Sequence, residues 1–180
     1  MALSIWAASV LRPVITSSKA NAAVSFQCQV SSNASIWACD FSPEDALDLS
    51  RQVTEGLIHL HRHGVYHCDI KPRNLLWTER GAKIIDFNVS VLAAADNGHG
   101  GGSRRYLPPD LDLGAIPTPG DLADRDVYAL GLTLYEAVTG RYPWDTSVPP
   151  AGQSAPDPRE NSGLGDLAPE LVEIMLKAIA

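Results

Sequence analysis

Positive charge, paired cysteine and long apolar runs are all scarce in this sequence. Lys and Arg number 14 against 21 Asp and Glu, for a formal net charge of -7 and a pI of about 5.1. Such a field repels phosphate backbones and anionic lipid, so neither a nucleic acid nor a membrane is expected as a partner. The three cysteines, Cys28, Cys39 and Cys68, fall in none of the paired spacings that build zinc sites or disulfide frameworks. A reducing, cytoplasmic setting is expected. The opening run "MALSIWAASVL" has no basic residue ahead of its apolar stretch and is too short to span a bilayer, so no signal peptide or membrane span is expected. Before Ser42 there is no glycine and no glutamate, and Lys19 is the sole lysine there.

The 180 residues are 45% hydrophobic, enough for one core of ordinary size. "AAVSFQCQV" and "SIWACDF" each suit a short strand. At Ser42 the character changes. "SPED" supplies a capping serine, a proline for the first turn and acids beside the positive end of the helix dipole. Ala46, Leu49, Val53, Leu57 and Leu60 follow at three- and four-residue steps, and Gly64 suits the left-handed conformation that closes a helix, so a helix is predicted over roughly residues 43–63. "GVYHC", "NLLWT" and "AKIIDF" read as short strands around the stretch "YHCDIKPRNLL".

Residues 93–121 are poor in periodic pattern and rich in Gly, Pro and Asp, which predicts a long surface loop. Its cluster "DNGHGGGS" has no strand running into it and no helix directly after it, so a flexible linker is favoured over a phosphate cradle. "DRDVYALGLTLYEAVTG" predicts a deeply buried helix, with Val127, Leu130, Leu134 and Val138 along one face and Gly131 admitting a close neighbour. Residues 143–163 are too proline-rich for helix or central strand, and "LAPELVEIMLKAIA" resumes helical periodicity.

The stretch "YHCDIKPRNLL" holds the chemistry. Asp69 suits acceptance of a hydroxyl proton, Lys71 suits neutralising a transferring phosphate, and Asn74 and Asp86 offer hard oxygens of the kind magnesium takes. Phosphoryl transfer needs these parts on short, braced loops, because its catalysis is mostly positioning and electrostatics. Taken singly, Asp69 or Asn74 reads as an ordinary turn residue making local hydrogen bonds.

Taken together, the motifs resemble the protein kinase superfamily. "HCDIKPRNLL" is similar to its catalytic loop, H-R-D-x-x-x-x-N, and "DFN" to its D-F-G. "GSRRYLPPDL" resembles the end of an activation segment, with Pro108, Pro109 and Asp110 at the A-P-E positions. "DVYALG" resembles the buried central helix. The resemblance implies an α+β fold: a kinase-like C-terminal lobe over residues 42–180, mainly helical with short strands around the catalytic loop, cut short at its C-terminal end. Residues 1–41 would form a poorly defined arm. It implies ATP and Mg2+ as cofactors and a protein serine or threonine as acceptor, a lysine at Lys71 being the mark of serine/threonine kinases. Asp69 would be the catalytic base, Lys71 would steady the phosphate, and Asn74 and Asp86 would bind the metal. Ser103 would touch base and lysine, and Asp126 would cap amides of the catalytic loop.

Four departures accompany the resemblance. Cys68 stands where most relatives carry arginine, so switching by phosphorylation of the activation segment is not expected. Asn88 replaces the glycine of D-F-G and is expected to tolerate a positive φ. Asp110 replaces a glutamate whose usual partner is an arginine further along. The small lobe's glycine-rich loop, strand lysine and helix glutamate have no counterparts before Ser42. A second reading therefore stands beside the enzyme: an inactive, truncated kinase serving as a protein-interaction module, with self-association through its exposed lobe surface. Phosphorylation of a small molecule ranks last.

Overall fold

The computed structural model describes residues 42–78, 80–93, 101–112, 114–160 and 163–180. The two strands proposed before Ser42, and most of the glycine-rich cluster, lie outside these residues.

Helix α1 spans Pro43–Arg62 and starts where the sequence signals a start: Ser42 accepts from the Asp45 amide, and Asp45 reaches back to the Ser42 amide. This reciprocal capping box satisfies two of the amide donors that a helix start leaves open. Ala46, Leu49, Val53 and Leu57 are all at most 1% exposed, so the apolar stripe is the face that meets the core, with Leu60 partly buried beside it. Gly64 follows at φ 70°.

Four short strands then surround the stretch from Asp69 to Asn74: β1 (Val65–Tyr66), β2 (Leu75–Thr78), β3 (Gly81–Ile84) and β4 (Val91–Leu92). They pair as two separate antiparallel ladders, β2 with β3 in the register Leu75↔Ile84, and β1 with β4 in the register Tyr66↔Val91. Gln52 of α1 accepts from the Ala82 amide, tying β3 to the first helix.

Helix α2 spans Pro119–Thr139, five residues earlier than the sequence pattern suggests. Pro119 and Gly120 punctuate the chain as a loop would, but Thr118 and Asp121 form a second capping box that starts the helix there. From Tyr128 to Glu136 every residue is buried, so this helix is the central post of the molecule. Leu130 and Leu134 are buried as expected, while Val127 and Val138 are only partly so. Helix α3 (Pro169–Ala178) crosses α2 at Gly131, where an added Cβ would stand 2.7 Å from Ala178 Cβ and from Ile179 Cγ2. Leu171 and Met175 of α3 are fully buried in the same core as Leu49 and Leu132. Each such leucine contributes roughly 1.5–3 kcal/mol of transfer free energy. Among the described residues, no helix is long and apolar enough to cross a membrane.

Candidate active site

The site begins with a buried carboxylate on the central helix. Asp126 is fully buried and takes the amide of His67 on Oδ2 at 2.9 Å and that of Cys68 on Oδ1 at 2.7 Å. His61, at the end of α1, adds its Nε2 to the same Oδ2 at 2.8 Å. The turn between β1 and Asp69 thus hangs from α2 by charge-assisted bonds, which in a dry interior are stronger than neutral ones. Cys68 is forced to φ 64°, a conformation a non-glycine side chain holds only under such restraint. Burial, and then the Asp126 charge, push its thiol up to about 12.

Past that turn, Asp69 is gripped from three directions. Lys71 Nζ lies 2.5 Å from its Oδ2, and Asn74 Nδ2 lies 3.1 Å from Oδ2 and 2.8 Å from its backbone carbonyl. From the other side of the chain, the Ser103 amide donates to Oδ1 at 2.9 Å, and Lys71 Nζ reaches the Ser103 hydroxyl at 2.9 Å. Partial burial works to raise the Asp69 pKa, but the lysine and the two Ser103 groups outweigh it and hold the carboxyl below its ordinary value. The group is therefore an anion at neutral pH.

Ile85 joins this loop to the following segment. Its amide donates to the Asn74 carbonyl at 2.9 Å and its carbonyl lies 3.0 Å from His67 Nε2. Asp86, the next residue, is exposed at φ 67°. Its carboxylate makes no hydrogen bond to Asp69, Lys71, Asn74 or Ser103, so the structure brings four of the five sequence-derived site residues into one bonded cluster and leaves the fifth at its edge. The positive φ expected at Asn88 falls instead on Asp86, and Asn88 lies in an exposed turn.

A second cluster, absent from the sequence reading, holds Ser103 in place. Glu136 of α2, 1% exposed, receives Arg105 Nη2 at 2.8 Å and the Tyr106 hydroxyl. Tyr142 donates its hydroxyl to the Arg105 carbonyl at 2.8 Å, and the Arg105 guanidinium lies 3.8 Å from the centre of the Tyr142 ring. The one signal available in the sequence is Glu136 itself, a lone charge inside "YALGLTLYEAV". Gly102 corrects the linker reading at its last glycine. At φ 151° its missing side chain leaves room for Cys68, whose carbonyl oxygen would lie 2.6 Å from an added Cβ. The segment around Gly102 thus packs directly on the Cys68 turn.

Two of these residues have the donor chemistry that magnesium takes. Asn74 spends its amide nitrogen on Asp69, leaving its oxygen for a cation, and Asp86 presents an uncommitted carboxylate; both are hard oxygen donors. Among the described residues no cluster of three or more His, Cys, Asp or Glu side chains stands ready to hold a metal by itself.

A loop carboxylate bonded to lysine, asparagine and serine, on a turn hung from a buried helix aspartate, is the arrangement on which the comparison with known families bears. The protein kinase domain family model matches residues 22–155, and the chain belongs to that family. It is 32% identical over 154 residues to serine/threonine-protein kinase PknB of Mycolicibacterium smegmatis, an alignment covering 77% of this chain and 23% of that protein. It is 36% identical over 145 residues to serine/threonine-protein kinases drp72 of Corynebacterium efficiens, covering 75% and 27%. With serine/threonine-protein kinase PrkC of Bacillus subtilis it shares 35% identity over 108 residues, covering 57% and 16%. The chain thus spans about a quarter or less of the length of these relatives.

Proposed function

We propose that this lobe transfers the γ-phosphate of ATP, with Mg2+, to a serine or threonine hydroxyl of a protein. The observation that carries the proposal is the state of Asp69. An ionised carboxylate offers about four acceptor positions. Lys71 and Asn74 meet its Oδ2 and the Ser103 amide meets Oδ1, with the Ser103 hydroxyl beside it, so an acceptor hydroxyl would reach Oδ1 by taking the place of the Ser103 hydroxyl. Asp69 would receive that proton late, which suits a carboxyl with a low pKa, because the loose transition state of phosphoryl transfer needs little nucleophile activation. Lys71 would offset charge on the phosphoryl oxygens. Asn74 and Asp86 would hold the metal, which would supply positive charge to offset that of the nucleotide's phosphates.

Two measurements test this. Millimolar ATP with Mg2+ should raise the melting temperature of the chain, since a ligand that binds only the folded state must stabilise it. Asp69→Asn should lower phosphate transfer by about 100-fold or more, the usual scale of a positioned general base. An unmoved melting temperature, or equal transfer by the variant, removes the enzymatic reading.

A non-catalytic interaction module, built on the division at Ser42, is supported by a different observation. Phe87, Val89 and Leu92 lie 44%, 37% and 51% exposed on the segment just after the site. An apolar group of this kind favours a protein partner or a second copy of the chain.

A further inference from the structure

We propose that the peptide accepted at this site is acidic around its hydroxyl, and that Arg73 and Arg104 select it. This rests on the reading of Asp69 as the group that meets an acceptor hydroxyl. Two residues hold Asp69 from opposite stretches of chain: Asn74 on Oδ2 and Ser103 on Oδ1. Each has an exposed arginine as its immediate neighbour, Arg73 before Asn74 and Arg104 after Ser103. Both sit in 3-10 turns, Pro72–Asn74 and Arg104–Tyr106, whose other ends are fixed by buried side chains, Asn74 and Tyr106. The backbone under each guanidinium is therefore held while its head group stays in solvent.

Among the described residues, neither side chain is spent on another group. Arg51, Arg105 and Arg159 are ion-paired to Asp48 and Glu55, to Glu136 and to Asp157. Arg73 and Arg104 make no side-chain hydrogen bond or ion pair among the described residues. The carboxylate between them is already neutralised by Lys71 at 2.5 Å. With Lys71 balancing Asp69, the two arginines still outnumber the one uncommitted carboxylate of the site, Asp86, in a chain whose net charge is -7. A peptide that lays its hydroxyl against Asp69 Oδ1 runs past both arginines. Carboxylates beside that hydroxyl meet charge-assisted donors, and lysines meet repulsion. Glu136, the buried acid nearest this segment, cannot recruit a basic peptide because Arg105 and Tyr106 already occupy its oxygens.

The test is peptide binding to the full chain without nucleotide, read by fluorescence anisotropy. Three labelled serine peptides are matched in length, with Glu, Gln or Lys flanking the serine. The Glu peptide should bind about three- to tenfold tighter than the Gln peptide, the scale of one or two exposed ion pairs, and the Lys peptide should bind weakest. The order should collapse in about 0.5 M salt, where screening is strong. Charge reversal in R73E/R104E should invert it, whereas R80E, at the opposite end of β2 from Asn74, should leave it intact; melting curves confirm that both variants fold. The inference is overturned if the Glu peptide does not bind, if Glu and Gln peptides bind alike, or if the preference survives R73E/R104E. It is also overturned if that variant weakens only the ATP–Mg2+ melting shift, which would make the arginines nucleotide contacts. A charge preference abolished by R73E/R104E, found together with equal phosphate transfer by natural chain and D69N, sinks the catalytic reading and keeps the acidic-peptide surface.

Discussion

At the scale of single residues, the two aspartates of the site carry opposite duties. Asp69 is partly open to solvent and is poised by its neighbours; Asp126 is sealed and holds the loop. Asp126→Ala would strand the His67 and Cys68 amides in the interior, and about 2–4 kcal/mol of stability should disappear in a urea titration. Asp126→Asn keeps one acceptor oxygen and should lose less. The pH behaviour follows from Asp69. Its folded pKa lies below its unfolded value, so its stabilising contribution is complete above the unfolded value and fades as pH falls through the folded one. Stability of the natural chain should therefore drop more steeply below about pH 4 than that of Asp69→Asn, as measured by denaturant midpoints across pH. Asp69, Lys71 and Asn74 were legible in the sequence because their offsets lie within one short stretch. Glu136 with Arg105 was not, since its partners stand 31 residues apart and only the fold brings them together.

At the scale of elements, capping chemistry explains both the success and the error of pattern reading. Ser42 and Asp45 announced α1 correctly, because nothing around them competes with a helix start. The same logic in Thr118 and Asp121 was hidden by Pro119 and Gly120, which punctuate loops as readily as they open helices. Strand partners were less legible still. Two-residue strands carry no periodicity, and β1 finds β4 rather than the nearer β2. The crossing of α2 and α3 supplies a sharp check. Gly131→Ala puts a methyl 2.7 Å from two side-chain carbons of the chain's last turn. It should destabilise the protein by about 1–3 kcal/mol, the usual effect of overfilling a packed contact, seen as a lower melting temperature. The same change at exposed Gly165, where an added Cβ meets nothing within 4 Å, should be close to neutral.

At the scale of the whole molecule, the described residues gather three helices around one main core. The core binds α1, α2 and α3 together, while Phe87, Val89 and Leu92 remain open to solvent beside the site. If that face docks a second copy, sedimentation velocity should show a mass that rises with protein concentration, and the Val89→Glu, Leu92→Glu double variant should stay monomeric at every concentration. A variant that self-associates as before would locate the contact elsewhere. Fold class was the most legible property, because motif order along the chain survives any local misreading; which surfaces meet a partner was not, because exposure is decided by what the three helices leave uncovered.

The suspension of the catalytic turn from the central helix also reaches into the protein's motions. Amides beside a two-residue strand ordinarily trade their hydrogens for deuterium within moments, through small openings that leave the rest of the fold untouched. Those of His67 and Cys68 end on a carboxylate that has no route to water unless α2 itself lets go. In heavy water these two hydrogens should persist as long as the slowest ones of the central helix, so a loop by shape would keep the time of the core.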